Sequence, residues 1–354
     1  MNKVLVTGAA GFIGSYLVGR LLSDYEDLTV VGMDNLNDYY DVSLKEYRLR
    51  QVAKTVEENP NNIWRFEKGD LSDKAFVEWL FSEHQFDVVV NMAAQAGVRN
   101  SINNPDAYIA SNIVGFYNVL EACRHSCKGD KEGVKHFVYA SSSSVYGNNA
   151  KVPCSVEDKV DEPVSLYAAT KKSNELLAYS YSKLYGIPST GLRFFTVYGP
   201  AGRPDMAYYS FTDKLLKGEK IQIFNYGNCR RDFTYIDDIV EGIVRVMQHA
   251  PEMGIGKDGL PSAPYSLYNI GNSSPEQLLD FVHILGEELM RVGLLSEDYD
   301  LDNQLELVPM QAGDVVTTFA DVNALKKDFG FAPRTSLREG LRRFAEWYKN
   351  YYRL

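Results

Sequence analysis

The sequence has few of the residues that usually mark a metal or disulfide protein. It contains four cysteines and five histidines among 354 residues, and the histidines are scattered. Cys123 and Cys127 flank His125, but a zinc site would need a matching second pair, which does not follow downstream. We therefore expect reduced, partly buried thiols and no metal ion.

Long apolar runs and clustered basic residues are also missing. No apolar run approaches the ~20 residues needed to cross a bilayer, and the first residues form a strand-like run rather than a secretory signal. The formal net charge is −10, and the densest basic stretches are only Lys326-Lys327 and Arg342-Arg343. Because nucleic-acid binders show a clustered basic surface, we expect a cytoplasmic protein without a nucleic-acid or membrane partner.

The first half of the chain alternates short β-rich runs with longer helical patterns. Strands are predicted at residues 4–6, 29–33, 63–66, 86–90, 137–140 and 190–194, and helices from residue 12, at 75–81 and at 106–125. Such alternation predicts an α/β fold, with a Rossmann-type doubly wound parallel sheet. Beyond residue 190, loops rich in Gly, Pro and Asn separate shorter elements, which predicts a smaller, interleaved C-terminal part.

Three glycines, Gly8, Gly11 and Gly14, lie between the first predicted strand and the first predicted helix. Glycine allows a tight turn and a close approach to a pyrophosphate, whose charge the helix N-terminus stabilises. The spacing departs from the common G-x-G-x-x-G, so the interpretation depends on its context. Asp34 follows the second predicted strand, where a carboxylate can bind ribose hydroxyls and would repel a 2′-phosphate. This pattern favours NAD over NADP.

Polar and small residues follow the next two predicted strands. Asp70 comes after the third strand, and Ala93 and Ala94 come after the fourth. Ligands of open α/β sheets bind along the carboxyl edge that these positions share. Residues 1–190 are therefore predicted to form mainly an NAD-binding domain, and residues 191–354 mainly a substrate-binding domain.

Tyr167 and Lys171 lie four residues apart in a predicted helix, so they share one face of it. A phenol has an ordinary pKa of about 10, too high for an efficient base at neutral pH. A nearby ammonium group and the positive nicotinamide would both lower that pKa. A run of serines, residues 141–144, ends the fifth predicted strand and brings hydroxyl groups to the same sheet edge.

Together, the glycine motif, Asp34, the serine run and Tyr167 with Lys171 resemble the extended short-chain dehydrogenase/reductase family. Within it, several stretches are similar to those of bacterial UDP-glucuronate 4-epimerases. They lie at residues 34–41 (DNLNDYYD), 167–175, 192–200 (LRFFTVYGP), 202–206 and 230–235 (RRDFTY). The similarity runs nearly the whole length of the chain.

The resemblance implies NAD-dependent 4-epimerisation of UDP-glucuronate to UDP-galacturonate through a transient 4-keto sugar. Tyr167 would remove the C4 hydroxyl proton as NAD takes the C4 hydride, and Lys171 would lower the tyrosine pKa and hold the nicotinamide ribose. Ser142 matches the family's catalytic serine by its distance from Tyr167, and Ser144 is the second candidate. NAD is regenerated in each turnover, so the resemblance implies that it stays tightly bound. The expected cofactor-binding residues are Gly8, Gly11, Phe12, Ile13, Gly14, Asp34, Asn35, Asp70, Leu71, Ala93, Ala94, Asn112, Tyr167 and Lys171.

The same resemblance supplies candidates for substrate binding. Arg231 resembles a diphosphate-binding arginine, and Asp314 resembles a uridine-ribose contact. Thr196 and Arg203 resemble positions that meet the sugar carboxylate, which needs a cationic partner when it is buried. The full set of candidates is Arg99, Ser142, Ser143, Tyr167, Thr196, Arg203, Arg231 and Asp314.

Three other functions stay open. A 4-epimerase of neutral or N-acetylated UDP-hexoses is opposed, but not excluded, by Thr196 and Arg203. A sugar-nucleotide dehydratase or decarboxylase is disfavoured because Ser143 and Ser144 stand where those relatives carry acids. A non-catalytic NAD sensor would have no reason to keep both Tyr167 and Lys171. By family analogy we also expect a homodimer formed through paired helices of the nucleotide domain.

Overall fold

The computed structural model describes residues 1–127, 133–149, 151–256, 259–310 and 316–354, which form two compact units. The first unit comprises Met1–Asn148, Val156–Phe194 and Val240–Asn269, and the second comprises Asn149–Ser155, Phe195–Ile239 and Ile270–Leu354. Within the described ranges, no helix is both long and apolar enough to span a membrane. Each unit is built from three separate segments of the chain.

The strands of the described residues are β1 (Lys3–Thr7), β2 (Thr29–Asp34), β3 (Ile63–Lys68), β4 (Val88–Asn91), β5 (His136–Ser142), β6 (Ser189–Phe194), β7 (Thr196–Tyr198), β8 (Ile221–Ile223), β9 (Arg230–Tyr235), β10 (Tyr265–Ile270), β11 (Pro275–Gln277), β12 (Leu305–Leu307) and β13 (Thr317–Thr318). The α-helices are α1 (Phe12–Asp24), α2 (Val42–Glu58), α3 (Lys74–Glu83), α4 (Asn100–Asn103), α5 (Pro105–Tyr108), α6 (Phe116–Arg124), α7 (Leu166–Tyr185), α8 (Ala207–Leu216), α9 (Ile236–Met247), α10 (Leu278–Arg291), α11 (Asn323–Phe329) and α12 (Leu337–Tyr352).

A seven-stranded sheet forms the centre of the first unit, in the order β10-β6-β5-β4-β1-β2-β3. Strands β1 to β6 pair in parallel, with Leu5 opposite Val31 on one side and Val89 on the other. These three side chains are fully buried, as expected for a parallel sheet covered on both faces. The order 3-2-1-4-5-6 is that of a Rossmann fold, so the predicted fold class is confirmed.

The segment predicted as one helix over 106–125 changes its pitch along its length. It comprises α5, a π-helix (Ile109–Gly115) and α6. Within the π-helix, the main-chain carbonyl of Asn112 accepts a hydrogen bond from the side-chain amide of Asn174 at 2.6 Å. The wider turn frees carbonyl groups for such contacts, and it cannot be anticipated from apolar spacing alone.

The second unit is built around β9. Strand β11 pairs with β9 in antiparallel orientation, whereas β7 and β13 pair with it in parallel. An aromatic core lies between α8 and α12, where the rings of Tyr208 and Phe344 meet edge to face at 4.8 Å. Phe344 and Tyr348 are buried, as expected for ordinary core positions of the C-terminal helix.

Candidate active site

The glycine loop of the first unit leaves no room for side chains. Gly8 has a positive φ of 69°, which favours glycine, and a Cβ there would lie 2.8 Å from the amide nitrogen of Ala93. A Cβ on Gly14 would lie 2.1 Å from the carbonyl oxygen of Gly8. Helix α1 begins at Phe12, directly after this turn, so the backbone amides of its N-terminus follow the glycine loop.

The carboxylate of Asp34 ends β2 beside this loop. It accepts hydrogen bonds from the backbone amides of Ala10 at 3.2 Å and Leu36 at 2.9 Å, and it is almost fully buried. The ammonium group of Lys45 lies 3.8 Å away. Burial lowers the pKa of Lys45, and Asp34 opposes that change. Lys45 is a residue that the sequence analysis did not single out, and it reduces the cost of burying the Asp34 carboxylate.

Asn35 and Asp70 meet at the same edge of the sheet. The Asn35 side-chain amide donates to Asp70 at 2.8 Å, and the backbone and hydroxyl of Ser72 donate to its other oxygen. Burial alone would raise the pKa of Asp70, but these hydrogen bonds outweigh it and lower the pKa. The structure therefore brings together two predicted cofactor residues from neighbouring strand ends.

The side chain of Asn112 forms hydrogen bonds with other residues of the first unit. Its amide group donates to the carbonyl of Gln95 and to the hydroxyl of Thr170, both at 3.0 Å, and its oxygen accepts from the amide of Gln95 at 2.8 Å. Thr170 lies between the two candidate catalytic residues of α7. The side chain of Asn112 therefore ties the loop after β4 to that helix.

The other predicted cofactor residues lie where strands and helices of the first unit end or begin. Ala93 and Ala94 follow β4, Leu71 follows β3 and is buried, and Ile13 lies in the first turn of α1. The amide of Ala93 donates to the hydroxyl of Thr7 at 3.1 Å, which fixes the loop after β4 against β1.

Tyr167 and Lys171 lie in the first turns of α7. Ser165 caps this helix by accepting from the amide of Ala168 at 3.1 Å. The Tyr167 ring is half-buried and meets the buried ring of Tyr108 edge to face, with centroids 6.1 Å apart. The Lys171 ammonium donates to the carbonyl of Ala140 at 2.9 Å, and burial lowers the pKa of Lys171 to about 8.

The serine run lies where β5 ends. Ser142 caps a 3₁₀ turn (Ser143–Tyr146), and its hydroxyl accepts from the amide of Ser144 at 3.2 Å. Ser141 is buried, and its hydroxyl donates a hydrogen bond to the Glu175 carboxylate at 2.6 Å, which is a contact of the protein interior. Ser142 and Ser144 stay the predicted residues for proton transfer, and Ser143 between them stays a predicted substrate contact.

The substrate candidates outside α7 and the serine run lie in less enclosed surroundings. Arg99 is exposed and precedes α4 in the first unit. In the second unit, the Arg203 guanidinium forms a bidentate ion pair with the Asp205 carboxylate of the same loop. Its Nε lies 2.9 Å from Oδ1 and its Nη2 lies 2.5 Å from Oδ2. Arg231 lies in β9 and donates to the carbonyls of Arg230 and Val316.

Thr196 and Asp314 complete the predicted substrate set. Thr196 is the first residue of β7 and is half-buried opposite Phe233 of β9. Asp314 lies outside the described residues.

The sequence analysis missed a buried ion pair beside the candidate catalytic residues. The Arg193 guanidinium of β6 donates to both carboxylate oxygens of Glu175, at 2.8 and 2.9 Å. Burial alone would raise the pKa of Glu175, but hydrogen bonds and the charge of Arg193 lower it. The signal was available, because a charged residue in an apolar strand must find a partner inside the protein.

These features fit NAD as a cofactor. The glycine turn leads directly into the first turn of α1, where a helix N-terminus can bind a pyrophosphate, and the Asp34 carboxylate lies at the strand end where an adenine ribose binds. A family model described as the NAD dependent epimerase/dehydratase family matches residues 4–271. The chain belongs to that family.

Individual relatives and solved structures show which proteins of the family this chain is similar to. UDP-glucuronate 4-epimerase 2 of Arabidopsis thaliana is 44% identical, over 99% of this chain and 76% of its own length. A probable UDP-glucuronate 4-epimerase of Rhizobium meliloti is 41% identical, over 99% of this chain and 98% of its own. A crystal structure of a UDP-glucuronic acid 4-epimerase from Bacillus cereus, in complex with UDP-glucuronic acid and NAD, is 32% identical with a TM-score of 0.81 and covers 99% of this chain and all of that one.

Proposed function

We propose that this protein is an NAD-dependent 4-epimerase that interconverts UDP-glucuronate and UDP-galacturonate through a transient 4-keto sugar. The observation that carries the proposal is the pair formed by Tyr167 and Lys171 on α7, in a chain whose relatives are named for this reaction. Lys171 lies one helical turn beyond Tyr167 on α7, so the two residues share a helix face, and a positive charge near a phenol favours the phenolate.

Tyr167 is the base in this proposal. Its phenolate takes the proton of the C4 hydroxyl and returns it after the configuration at C4 has changed. NAD, held by the glycine loop and Asp34, would supply the acceptor and donor for the C4 hydride. Lys171 keeps the pKa of the phenol low, and Ser142 or Ser144 holds and passes the proton at the sugar oxygen.

We also propose how the two units divide the work. The first unit holds NAD through the glycine loop, Asp34 and the residues after β3 and β4. The second unit supplies Arg231 for the diphosphate and Thr196 with Arg203 for the sugar carboxylate, while Asp314 is proposed for the uridine ribose. A bidentate arginine is the usual partner of a buried carboxylate. The boundary near residue 190 and the cytoplasmic location stay predictions.

One observation favours a second candidate function. Two of the five N–H donors of Arg203 already serve Asp205. If that pair persists with substrate bound, the arginine loses much of its preference for a sugar carboxylate, and a 4-epimerase of neutral or N-acetylated UDP-hexoses becomes the better proposal.

The test is to incubate the purified protein with UDP-glucuronate, without added cofactor, and to follow products by chromatography and proton NMR. We expect UDP-galacturonate, no carbon dioxide and no net NADH. Parallel reactions contain UDP-glucose or UDP-N-acetylglucosamine. Conversion of either of these with no conversion of UDP-glucuronate would reject the hexuronic acid and leave the epimerase class standing.

We further propose a homodimer formed through the helices of the first unit. Helices α6 and α7 lie side by side, with the hydroxyl of Tyr181 donating to Glu121 at 2.7 Å. Both expose apolar side chains, among them Tyr117, Leu176 and Tyr179. Exposed apolar patches of this kind mark association surfaces, and a second copy is the usual partner. Light scattering of the protein with and without Leu176→Glu tests this interface.

A further inference from the structure

A single carboxylate links the two elements that carry the candidate catalytic residues. Glu175 lies one helical turn beyond Lys171 in α7, and its side chain is almost fully buried. Its Oε1 accepts from the hydroxyl of Ser141, the residue directly before the predicted catalytic serine, at 2.6 Å. Glu175 thereby joins the end of β5 to the helix of Tyr167 and Lys171.

Arg193 of β6 completes this link. Its Nε and Nη2 donate to the two oxygens of Glu175, and its guanidinium lies over the Tyr146 ring, 4.8 Å from the centroid. Tyr146 ends the 3₁₀ turn that begins at Ser143, and its hydroxyl donates to Asn269 of β10 at 2.6 Å. The arginine therefore contacts the far end of the serine turn, while Glu175 contacts the near end.

Stability alone does not explain such a pair. Both side chains are withdrawn from water, and this desolvation is unfavourable for each ion before their attraction is counted. A pair of apolar side chains of similar volume is often as stable. What an apolar pair cannot supply is direction, because four hydrogen bonds orient the Glu175 carboxylate, from Ser141, Arg193 and Lys172.

We propose that Glu175 and Arg193 are positioning residues that hold the serine turn in register with Tyr167 and Lys171. The inference rests on the proposed function for its catalytic consequence, whereas the geometry of the link stands without it. Neither residue needs to touch the substrate. Their effect reaches the reaction through the distance between the serine hydroxyls and the phenol, where a misplacement of ~1 Å costs about 10²-fold in rate.

The test replaces the ion pair by an apolar pair, Glu175→Met with Arg193→Met. The matched control is Glu288→Met with Arg338→Met, because the buried Glu288 of α10 is also bonded to arginines but lies on an element that carries no candidate site residue. For each protein, kcat, KM, the melting temperature and amide hydrogen exchange of residues 143–147 are measured.

We expect kcat of the apolar pair variant to fall by ~10- to 100-fold with KM nearly unchanged, and exchange at residues 143–147 to accelerate. The control variant should leave kcat and this exchange as they were, whatever its effect on the melting temperature. Ser141→Ala should reproduce part of the loss, and Ser141→Thr, which keeps the hydroxyl, should restore it.

Two results would overturn the inference. One is a kcat loss no larger than that of the control, and the other is unchanged exchange at residues 143–147. If the wild-type protein converts none of the UDP-sugars, the proposed function fails, and the exchange measurement alone still decides whether the ion pair holds the serine turn.

Discussion

The two units hold their candidate residues in different ways. In the first unit, Lys171 and Glu175 are buried and bonded to neighbouring strands, so the chemical groups are fixed before any substrate arrives. In the second unit, Arg203 pairs with an exposed aspartate of its own loop, and Arg231 bonds main-chain carbonyls at the protein surface. Buried, hydrogen-bonded groups suit the chemical step of a reaction, whereas loops suit the recognition of one substrate.

The largest expected effect is that of Tyr167→Phe. Removal of the phenol should lower turnover by ~10²–10⁴-fold, because no other group in this account takes the C4 proton. NAD bound to the purified protein, measured after denaturation, should stay at the wild-type level. Tyr179→Phe, an exposed tyrosine of the same helix, is the control and should keep full activity. Unchanged turnover of the Tyr167→Phe variant would show that Tyr167 of the first unit does not take the C4 proton.

Arg203→Met tests whether the second unit recognises the sugar carboxylate. Loss of the cation should reduce kcat/KM for UDP-glucuronate by about 10²-fold, since a desolvated carboxylate loses its partner. Any activity toward UDP-glucose should be unaffected, because that sugar carries no carboxylate. Equal losses for both substrates would show that Arg203 only anchors its loop through Asp205. Asp205→Asn separates these roles further, because it frees the guanidinium without removing it.

A pair of glycine variants tests how tightly the first unit is built. Gly14→Ala should lower the free energy of unfolding by about 1–3 kcal/mol and reduce bound NAD, because its Cβ would collide with the Gly8 carbonyl. Gly19→Ala lies in the same helix with no atom near its new Cβ, and it should stabilise the protein by up to about 1 kcal/mol. Chemical denaturation and cofactor analysis measure both. Equal behaviour of the two variants would contradict the packing described for the loop.

The smallest expected effect is on the pH dependence of kcat. Because burial lowers the pKa of Lys171 to about 8, the ammonium is present below that pH and is lost as the pH rises through it. The phenolate then loses its positive neighbour, so kcat should fall on the alkaline side of pH 8. Lys171→Arg stays charged at every accessible pH and should flatten this alkaline limb, whatever its absolute rate. An identical limb in both proteins would assign it to another group.

The sequence predicted those parts of the molecule that depend on local pattern. The six central strands, the parallel sheet and the glycine loop follow from apolar runs and turn residues, and the structure confirms the fold class. The π-helix was missed because Asn112 and Asn174 meet only after α7 has packed against it. Contacts between distant segments of the chain leave no periodic trace.

The same limit applies to the site. The sequence places Glu175 one helical turn from Lys171. Its role could not be predicted, because it depends on contacts with Ser141 and Arg193, which lie on two different strands. Conversely, the pairing of Arg203 with Asp205 is local, and the spacing of the two residues could have suggested it. The resemblance to a known family implied roles for individual residues that neither apolar patterns nor residue spacing could predict.

The most direct test of the account follows the hydrogen at C4. UDP-glucuronate carrying deuterium at C4 is incubated with the protein in ordinary water, and the product is analysed by NMR and mass spectrometry. We expect UDP-galacturonate that keeps its deuterium at C4 and a slower reaction than with unlabelled substrate. Product that has exchanged the label with water, or a label that leaves the sugar for good, would contradict it.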